Sequence, residues 1–248
     1  MKICFAFITK GKINNESVWY NYLKDIENIE ILIHCNDTPQ FQYLNNLTNN
    51  IYLNKVDTAW GHLQGVQNYL LQKSLDLKCD KFIILSDSCL PIRRFDYLYN
   101  KLNHDKSILS NCEIWPGARG RFPKTDYKYK LMANQQWIIL DKKHFEIFLC
   151  DEIREHFELE VKLPEESYFS TVIEKNGLNN DDNIISTITT FVDWSRSPNG
   201  NSPYSFGENN IGDETLLDEI IKNKDILFIR KVLDGVERNF VKKIINLL

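Results

Sequence analysis

"KICFAFITK" (residues 2–10), "NNESVWYNYLKDI" (14–26) and "IEILIHCN" (29–36) open the chain, and their order decides the fold. The first is a compact apolar run closed by a Thr-Lys-Gly turn, which reads as a buried strand. The second reads as a capped amphipathic helix with Trp19, Tyr22 and Leu23 on one side. The third is another continuous apolar run, a second buried strand. Strand, helix and strand in succession make a β-loop-α-β unit, which implies a parallel sheet with its functional loops at the strand carboxyl ends. Thr9, Lys10 and Gly11 occupy the first such loop, and His34 and Asn36 the second. Taken singly, each suits plain loop chemistry.

The pattern then repeats. "TAWGHLQGVQNYLLQKSLDL" (58–77) reads as a long helix and "KFIILSDSCLPI" (81–92) as a strand running into a polar loop stopped by Pro91. That loop holds Ser86, Asp87, Ser88 and Cys89, at a place where a doubly wound sheet holds ligands. It has no glycine run and no Gly-Lys-Ser/Thr, so it is not a P-loop. "FDYLYNKLN" (95–103) is another helix. From 111 to 136 the chain turns irregular, and so long a loop in a compact domain is usually functional or mobile. Its basic residues, Arg119, Arg121, Lys124, Lys128 and Lys130, suit an acidic or sugar ligand and equally a solvated surface. "QWIILDKKHFEIFL" (136–149) reads as strand then helix, "STITTFVDWS" (186–195) as a β-branched strand and "SRSPNGNSPYSFGENN" (195–210) as a second loop. "DETLLDEIIKN" (213–223) is a short helix, "ILFIRKV" (226–232) a last strand, and 235–248 a C-terminal amphipathic helix.

At 248 residues, 43% hydrophobic and 26% charged with a net charge of −4, the chain describes an ordinary globular protein. The expectation is one domain over 1–248, in two halves, 1–110 and 111–248. A nucleic-acid partner would need a basic surface that this composition lacks. The longest apolar run near the start is too short to span a membrane, and no signal-peptide pattern is present. The six cysteines stand singly without zinc-ligand spacing, as expected of reduced thiols in a cytosol-like compartment.

"LPEESYFSTVI" (163–173) puts Glu165 and Glu166 between a proline and an aromatic run. A helix start explains the pair by itself. Pro164 fits a first turn, acids there complement the helix dipole, and Tyr168, Phe169, Val172 and Ile173 make a buried stripe.

With these segments in order, the sequence resembles the glycosyltransferases of the core 2/I-branching type (glycosyltransferase family 14), and most of all their plant relatives. The resemblance is carried by "FITKG", "ILIHCN", "AWGHLQGVQNYLL", "FIILSDSCLPI", "NQQWIILDKKHFEIFL", "LPEESYFSTVI", "TTFVDWSRS" and "LFIRKV", which together span nearly the whole chain. It implies a GT-A type fold, an α/β structure with a Rossmann-like mixed sheet flanked by helices. It also implies inverting transfer of a sugar from a UDP-sugar donor to a glycan acceptor with a β-linkage. GlcNAc is the first donor sugar to test, as in a β-1,6-N-acetylglucosaminyltransferase, with xylose and glucuronic acid as alternatives.

Many GT-A enzymes hold a divalent metal with an Asp-x-Asp. Here Ser86-Asp87-Ser88-Cys89 takes that place, and the family resembled is metal-independent, so no metal or cofactor is expected. Glu166 matches the family's catalytic base, and Glu165 the acid before it, which caps the helix or hydrogen-bonds a neighbour on the acceptor side. Lys231, then Arg230, match the basic segment that neutralises the leaving diphosphate. The family's second, upstream arginine has no clear match, since Arg196 is not in an equivalent position. Thr9, Lys10, Gly11, His34 and Asn36, with Asp87, Ser88 and Cys89, fall on the donor side. Trp194 matches an aromatic that stacks on the acceptor sugar, and Arg119 and Arg121 are placed with it. Trp137 and Trp60 are expected to be packed side chains.

Relatives are usually anchored in the Golgi by a membrane helix and stem that this sequence does not show, so the expectation is a soluble enzyme on the cytoplasmic side. Two other readings stay open: a catalytically silent nucleotide-sugar or glycan-binding module, and a metal-dependent transferase with Asp87 as one ligand.

Overall fold

The computed structural model describes residues 1–124, 126–200, 202–207, 213–235 and 238–248. Parts of the second loop (201 and 208–210) and of the C-terminal segment (236–237) therefore lie outside the described residues. The opening unit forms as its pattern predicts. β1 (Ile3–Thr9) and β2 (Ile29–Cys35) run parallel, with α1 (Glu16–Leu23) between them in sequence. Both strands bury most of their side chains, as a sheet covered on both faces requires.

The chain continues through β3 (Ile51–Leu53), α2 (Gln64–Asp76), β4 (Lys81–Ser86), β5 (Leu90–Pro91), α3 (Phe95–Lys101) and β6 (Ser107–Leu109). Then come β7 (Cys112–Glu113), β8 (Met132–Ala133), β9 (Ile139–Asp141), α4 (Phe145–Cys150), α5 (Arg154–Glu160) and α6 (Tyr168–Lys175). β10 (Ile184–Ser186), β11 (Thr190–Val192), α7 (Asp213–Ile220), β12 (Phe228–Arg230) and α8 (Asn239–Ile245) complete it.

The main sheet has the order β10-β6-β9-β4-β1-β2-β3. β4, β1, β2 and β3 are parallel, whereas β9 is antiparallel to both β4 and β6, so the sheet is mixed. A second sheet, β11-β12-β5, positions the site. Ile229 on β12 pairs with Leu90 on β5, just beyond the tip of β4, so Arg230 and Lys231 reach the same sheet end as Ser86. The Val232 N–H donates to the Ser88 carbonyl at 2.9 Å, which fixes that approach.

Trp19 shows why the two sheets hold together. It is fully buried, donates its indole N–H to the Cys89 carbonyl at 2.9 Å, and packs edge-on against Phe7 and face-on against Phe228. Truncating a buried aromatic of this kind costs about 3–5 kcal/mol.

Two expectations change. The long helix of 58–77 is helical only from Gln64, because Gly61 adopts a positive φ of 78° that ends any helix upstream. The expected strand of 186–195 divides between the end of β10 and β11, which belong to different sheets. β6 and α5 carry no pattern that marked them, being short elements fixed by their neighbours. No helix among the described residues is long and apolar enough to cross a membrane.

Candidate active site

A cleft of about 750 Å³ opens where β4, β12, the irregular loop and the start of α6 converge. Glu165, Glu166, Arg121, Trp194, Arg230 and Lys231 all line it, so six of the residues singled out in the sequence meet at one place. A hollow of about 810 Å³ on another face, between α1, α3 and Leu248, contains none of them and is mostly apolar, which leaves the cleft as the candidate.

The acid pair sits on a short 3-10 turn, Pro164–Glu166, that leads into α6. Tyr168, Phe169, Val172 and Ile173 are fully buried, so the helix-start reading of this segment is correct and is also what aims the acids. The two carboxylates differ sharply in environment. Glu165 is 3% exposed, and its Oε2 accepts the Leu63 N–H at 3.3 Å. Burial, only partly offset by backbone N–H groups, pushes its carboxyl up to about 7. Glu166 is about one-third exposed, and its Oε2 takes the Arg121 guanidinium at 2.6 Å. Arg121 also lies 5.0 Å over the Trp115 ring. Arg121 was expected on the acceptor side; it lines the cleft as the partner of Glu166.

Opposite in charge, Arg230 is half-buried with its guanidinium 4.3 Å above the Trp137 ring. Burial lowers its pKa, against the pull of Cys89 and Asp87. Its Nε is buried without a hydrogen-bond partner among the described residues, a donor left for something else. The Arg230–Lys231 peptide bond is cis. Trp137 is buried, as expected of it.

The donor-side residues are placed differently. Ser86 and Ile8 line the cleft, but Thr9, Lys10, Gly11, His34, Asn36, Asp87, Ser88 and Cys89 do not. Cys89 is fully buried, with its sulfur facing Ser86, and His34 is fully buried, with Nε2 accepting the Val56 N–H at 3.3 Å. Ser88 is 2% exposed. All three side chains are buried in this conformation, and none of them lines the cleft. Gly11 is structural, since a Cβ there would lie 2.9 Å from the Thr38 carbonyl oxygen. Thr9, Lys10 and Asn36 form a backbone-linked rim, with the Asn36 N–H donating to the Thr9 carbonyl at 3.2 Å. Arg119 is exposed and borders a separate small hollow beside Tyr127 and Tyr129, so it is not part of the cleft. Arg196 is clamped by Asp193 at 2.6 Å and Asp213 at 2.9 Å and does not line the cleft either.

Sequence reasoning missed two contributors. Trp60, expected to be packed, is 83% exposed and lines the cleft, because the positive-φ turn at Gly61 carries it out of the helix it was assigned to. Asn134 is 6% exposed and bridges the acid pair to α6: its Nδ2 donates to the Glu165 carbonyl at 2.9 Å and its Oδ1 accepts the Ser170 N–H at 3.2 Å. Among the described residues, no group of three or more His, Cys, Asp and Glu side chains gathers where it could hold an ion.

A mixed α/β sheet flanked by helices, with a cleft at its strand ends, agrees with the GT-A type fold that the resemblance implies. Residues 3–220 match the family described as Core-2/I-Branching enzyme, and the chain belongs to that family. The match ends before Arg230 and Lys231, so their place rests on the geometry of β12. Over 163 residues the chain is 23% identical to Glycosyltransferase BC10 of Oryza sativa subsp. japonica, in a match covering 61% of this chain and 41% of the relative. The chain thus spans less than half the length of that curated relative. Among solved structures it is similar to a glycosyltransferase involved in the glycosylation of the major capsid of PBCV-1. That likeness has 11% identity, 97% and 98% coverage of the two chains and a TM-score of 0.38. It is also similar to a putative glucose-1-phosphate thymidylyltransferase from Bacillus anthracis in complex with sucrose, at 12% identity, 63% and 80% coverage and a TM-score of 0.34.

Proposed function

We propose that the cleft transfers a sugar from a UDP-sugar to a glycan acceptor, with inversion and without a metal ion. One observation carries this reading: both acids, both cations and Trp194 line a single cleft at the strand ends of the sheet. In this reading Glu166, the more open acid, removes the proton from the acceptor hydroxyl as that oxygen attacks the anomeric carbon. The bond from that carbon to the diphosphate oxygen breaks on the opposite face, and UDP leaves. Charge developing on the β-phosphate is met by Lys231 and Arg230, whose unpartnered Nε supports the assignment. Arg121 holds the base in position through its 2.6 Å contact. Glu165 anchors the turn from below, and Trp194, 53% exposed, offers its face to the acceptor ring.

A β-linkage follows from inversion of an α-linked donor, and GlcNAc is the first donor to test. The six free cysteines support a reducing compartment such as the cytoplasm. The test is UDP release across a panel of UDP-sugars and glycan acceptors with EDTA present, comparing wild type with Glu166→Gln. Turnover of one donor in chelator, falling by roughly two or more orders of magnitude in the variant, is the expected result. Activity that appears only on adding manganese would move the reading to a metal site at Asp87.

The silent-module reading has one observation in its favour: Arg196 is held by Asp193 and Asp213 rather than offered to the cleft as a second phosphate clamp. Burial alone would raise the Asp193 carboxyl, but hydrogen bonds from Ser195 and Arg196 hold it below its ordinary value, so this clamp stays charged and closed. UDP binding with no turnover on any donor would decide for that module.

A further inference from the structure

Tryptophan is rarely left open to water, yet Trp60, Trp115 and Trp194 are 83%, 47% and 53% exposed, and all three line the cleft. Trp194 is accounted for above; the other two are not. Neither is on a loose end. Trp60 stands on a turn closed by the His62 N–H to the Ala59 carbonyl at 3.0 Å. The next residue, Gly61, accepts the Leu163 N–H at 3.0 Å, and a Cβ at Gly61 would lie 3.0 Å from the Leu163 side chain. The turn is therefore docked directly ahead of the acid pair, and the Leu63 N–H two residues on reaches Glu165 itself. Trp115 is tied to the same acids from the other side: Arg121 lies 5.0 Å over its ring and 2.6 Å from Glu166. Two open aromatic faces are thus wired, by separate connections, to the two carboxylates.

The same cleft wall presents amides. Gln135 lines the cleft, and its Oε1 is buried without a hydrogen-bond partner among the described residues, an acceptor waiting for a donor. Flat apolar rings and an unpartnered amide oxygen in one cleft match the chemistry of a neutral sugar, which offers a C–H face to the ring and hydroxyl donors to the amide. A cleft of about 750 Å³ lies in the upper part of the range of about 300–1,000 Å³ for small-molecule sites, with room beyond a single ring.

We infer that Trp60 and Trp115 are additional acceptor platforms flanking the acid pair, with Gln135 reading a sugar hydroxyl in the same cleft, so that the acceptor is a neutral oligosaccharide bound across several rings. This rests on the transferase reading only for which sugar reacts; the platforms bind a glycan whether or not transfer follows. Fixed aromatic faces favour such a ligand because little side-chain freedom is lost on binding.

The experiment measures binding to an immobilised panel of neutral glycans graded from one to six sugars, with proline-rich peptides as controls. It uses the full chain and its Trp60→Ala, Trp60→Phe, Trp115→Ala and Gln135→Ala variants. Binding is expected to strengthen with glycan length. Each Trp→Ala change is expected to weaken the longest binders by about five- to tenfold, with Trp60→Phe retaining most of the affinity. Unchanged thermal midpoints in the Trp60 variants, whose ring is exposed, separate lost contact from lost fold. Equal binding of one-sugar and six-sugar probes, wild-type affinity in both Trp→Ala variants, or capture of the peptides alone would each overturn the inference. UDP release measured alongside separates the two readings. Length-dependent binding without turnover keeps the platforms and removes the transferase, whereas turnover with KM for the acceptor unmoved in both Trp→Ala variants does the reverse.

Discussion

Glu165 and Glu166 are neighbours in sequence and strangers in environment, which makes Glu165 the better handle on the site. Its carboxyl rises from an ordinary 4.5 to about 7 because burial disfavours the charge. Between those values the folded protein holds a proton that the unfolded chain has released, so stability falls as pH rises through that window and levels off above it. Glu165→Gln removes the titration while keeping an oxygen to accept from Leu63. The variant should match wild type at pH 4 and gain on it up to pH 7, by about 3 kcal/mol at most. Paired thermal melts from pH 4 to 8 check this, and a constant offset across the range would show that the buried acid does not titrate there. The pair's position was legible in the sequence as a motif, but the split between a buried and an open acid was not. It depends on Leu63 and Arg121, which lie about 102 and 45 residues away.

The elements around the pair explain both what was readable and what was not. Periodicity identified β1, α1, β2 and β4, because each buries a continuous run or a stripe that the sequence displays locally. The same reasoning mislaid Trp60: an apolar residue just ahead of a helical pattern is absorbed into that pattern unless the glycine's positive φ is known. Gly61→Ala should cost about 1–2 kcal/mol for a left-handed backbone with a Cβ, and Trp60 should become less accessible to acrylamide quenching. Asn134 was equally hidden, since its role is to complete someone else's helix. Ser167 makes no side-chain cap for α6, and Asn134 accepts the first-turn Ser170 N–H from across the cleft wall instead. Asn134→Ala leaves that N–H and the Glu165 carbonyl without their partner, at about 1–3 kcal/mol for each group left unmade. A thermal midpoint lowered by several degrees, together with reduced turnover, is the expected outcome; lowered turnover at an unchanged midpoint would assign Asn134 to the chemistry alone.

At the scale of the whole molecule, the site exists because the chain's last strand, β12, returns to pair with β5, just beyond the end of β4. Ser86 and Arg230 are far apart in sequence and meet through the antiparallel pairing of β12 with β5, a long-range event that no local pattern announces. Only the order of segments pointed to it. That closure makes nucleotide binding a test of the assembled fold. A ligand that binds the folded chain alone adds about 2.7 kcal/mol at a hundred times its dissociation constant. For a chain of this size that is a rise in midpoint of about 5–10 °C. UDP should produce such a rise in EDTA, and Arg230→Ala should abolish most of it, since Arg230 lines the cleft and its guanidinium, stacked on Trp137, carries a donor without a partner among the described residues. Glu166→Gln should leave the rise intact, because in the proposed reaction this acid acts on the acceptor rather than on the diphosphate. If UDP shifts Arg230→Ala as far as wild type, the diphosphate lies elsewhere, and the rim formed by Thr9, Lys10 and Asn36 becomes the place to look for it.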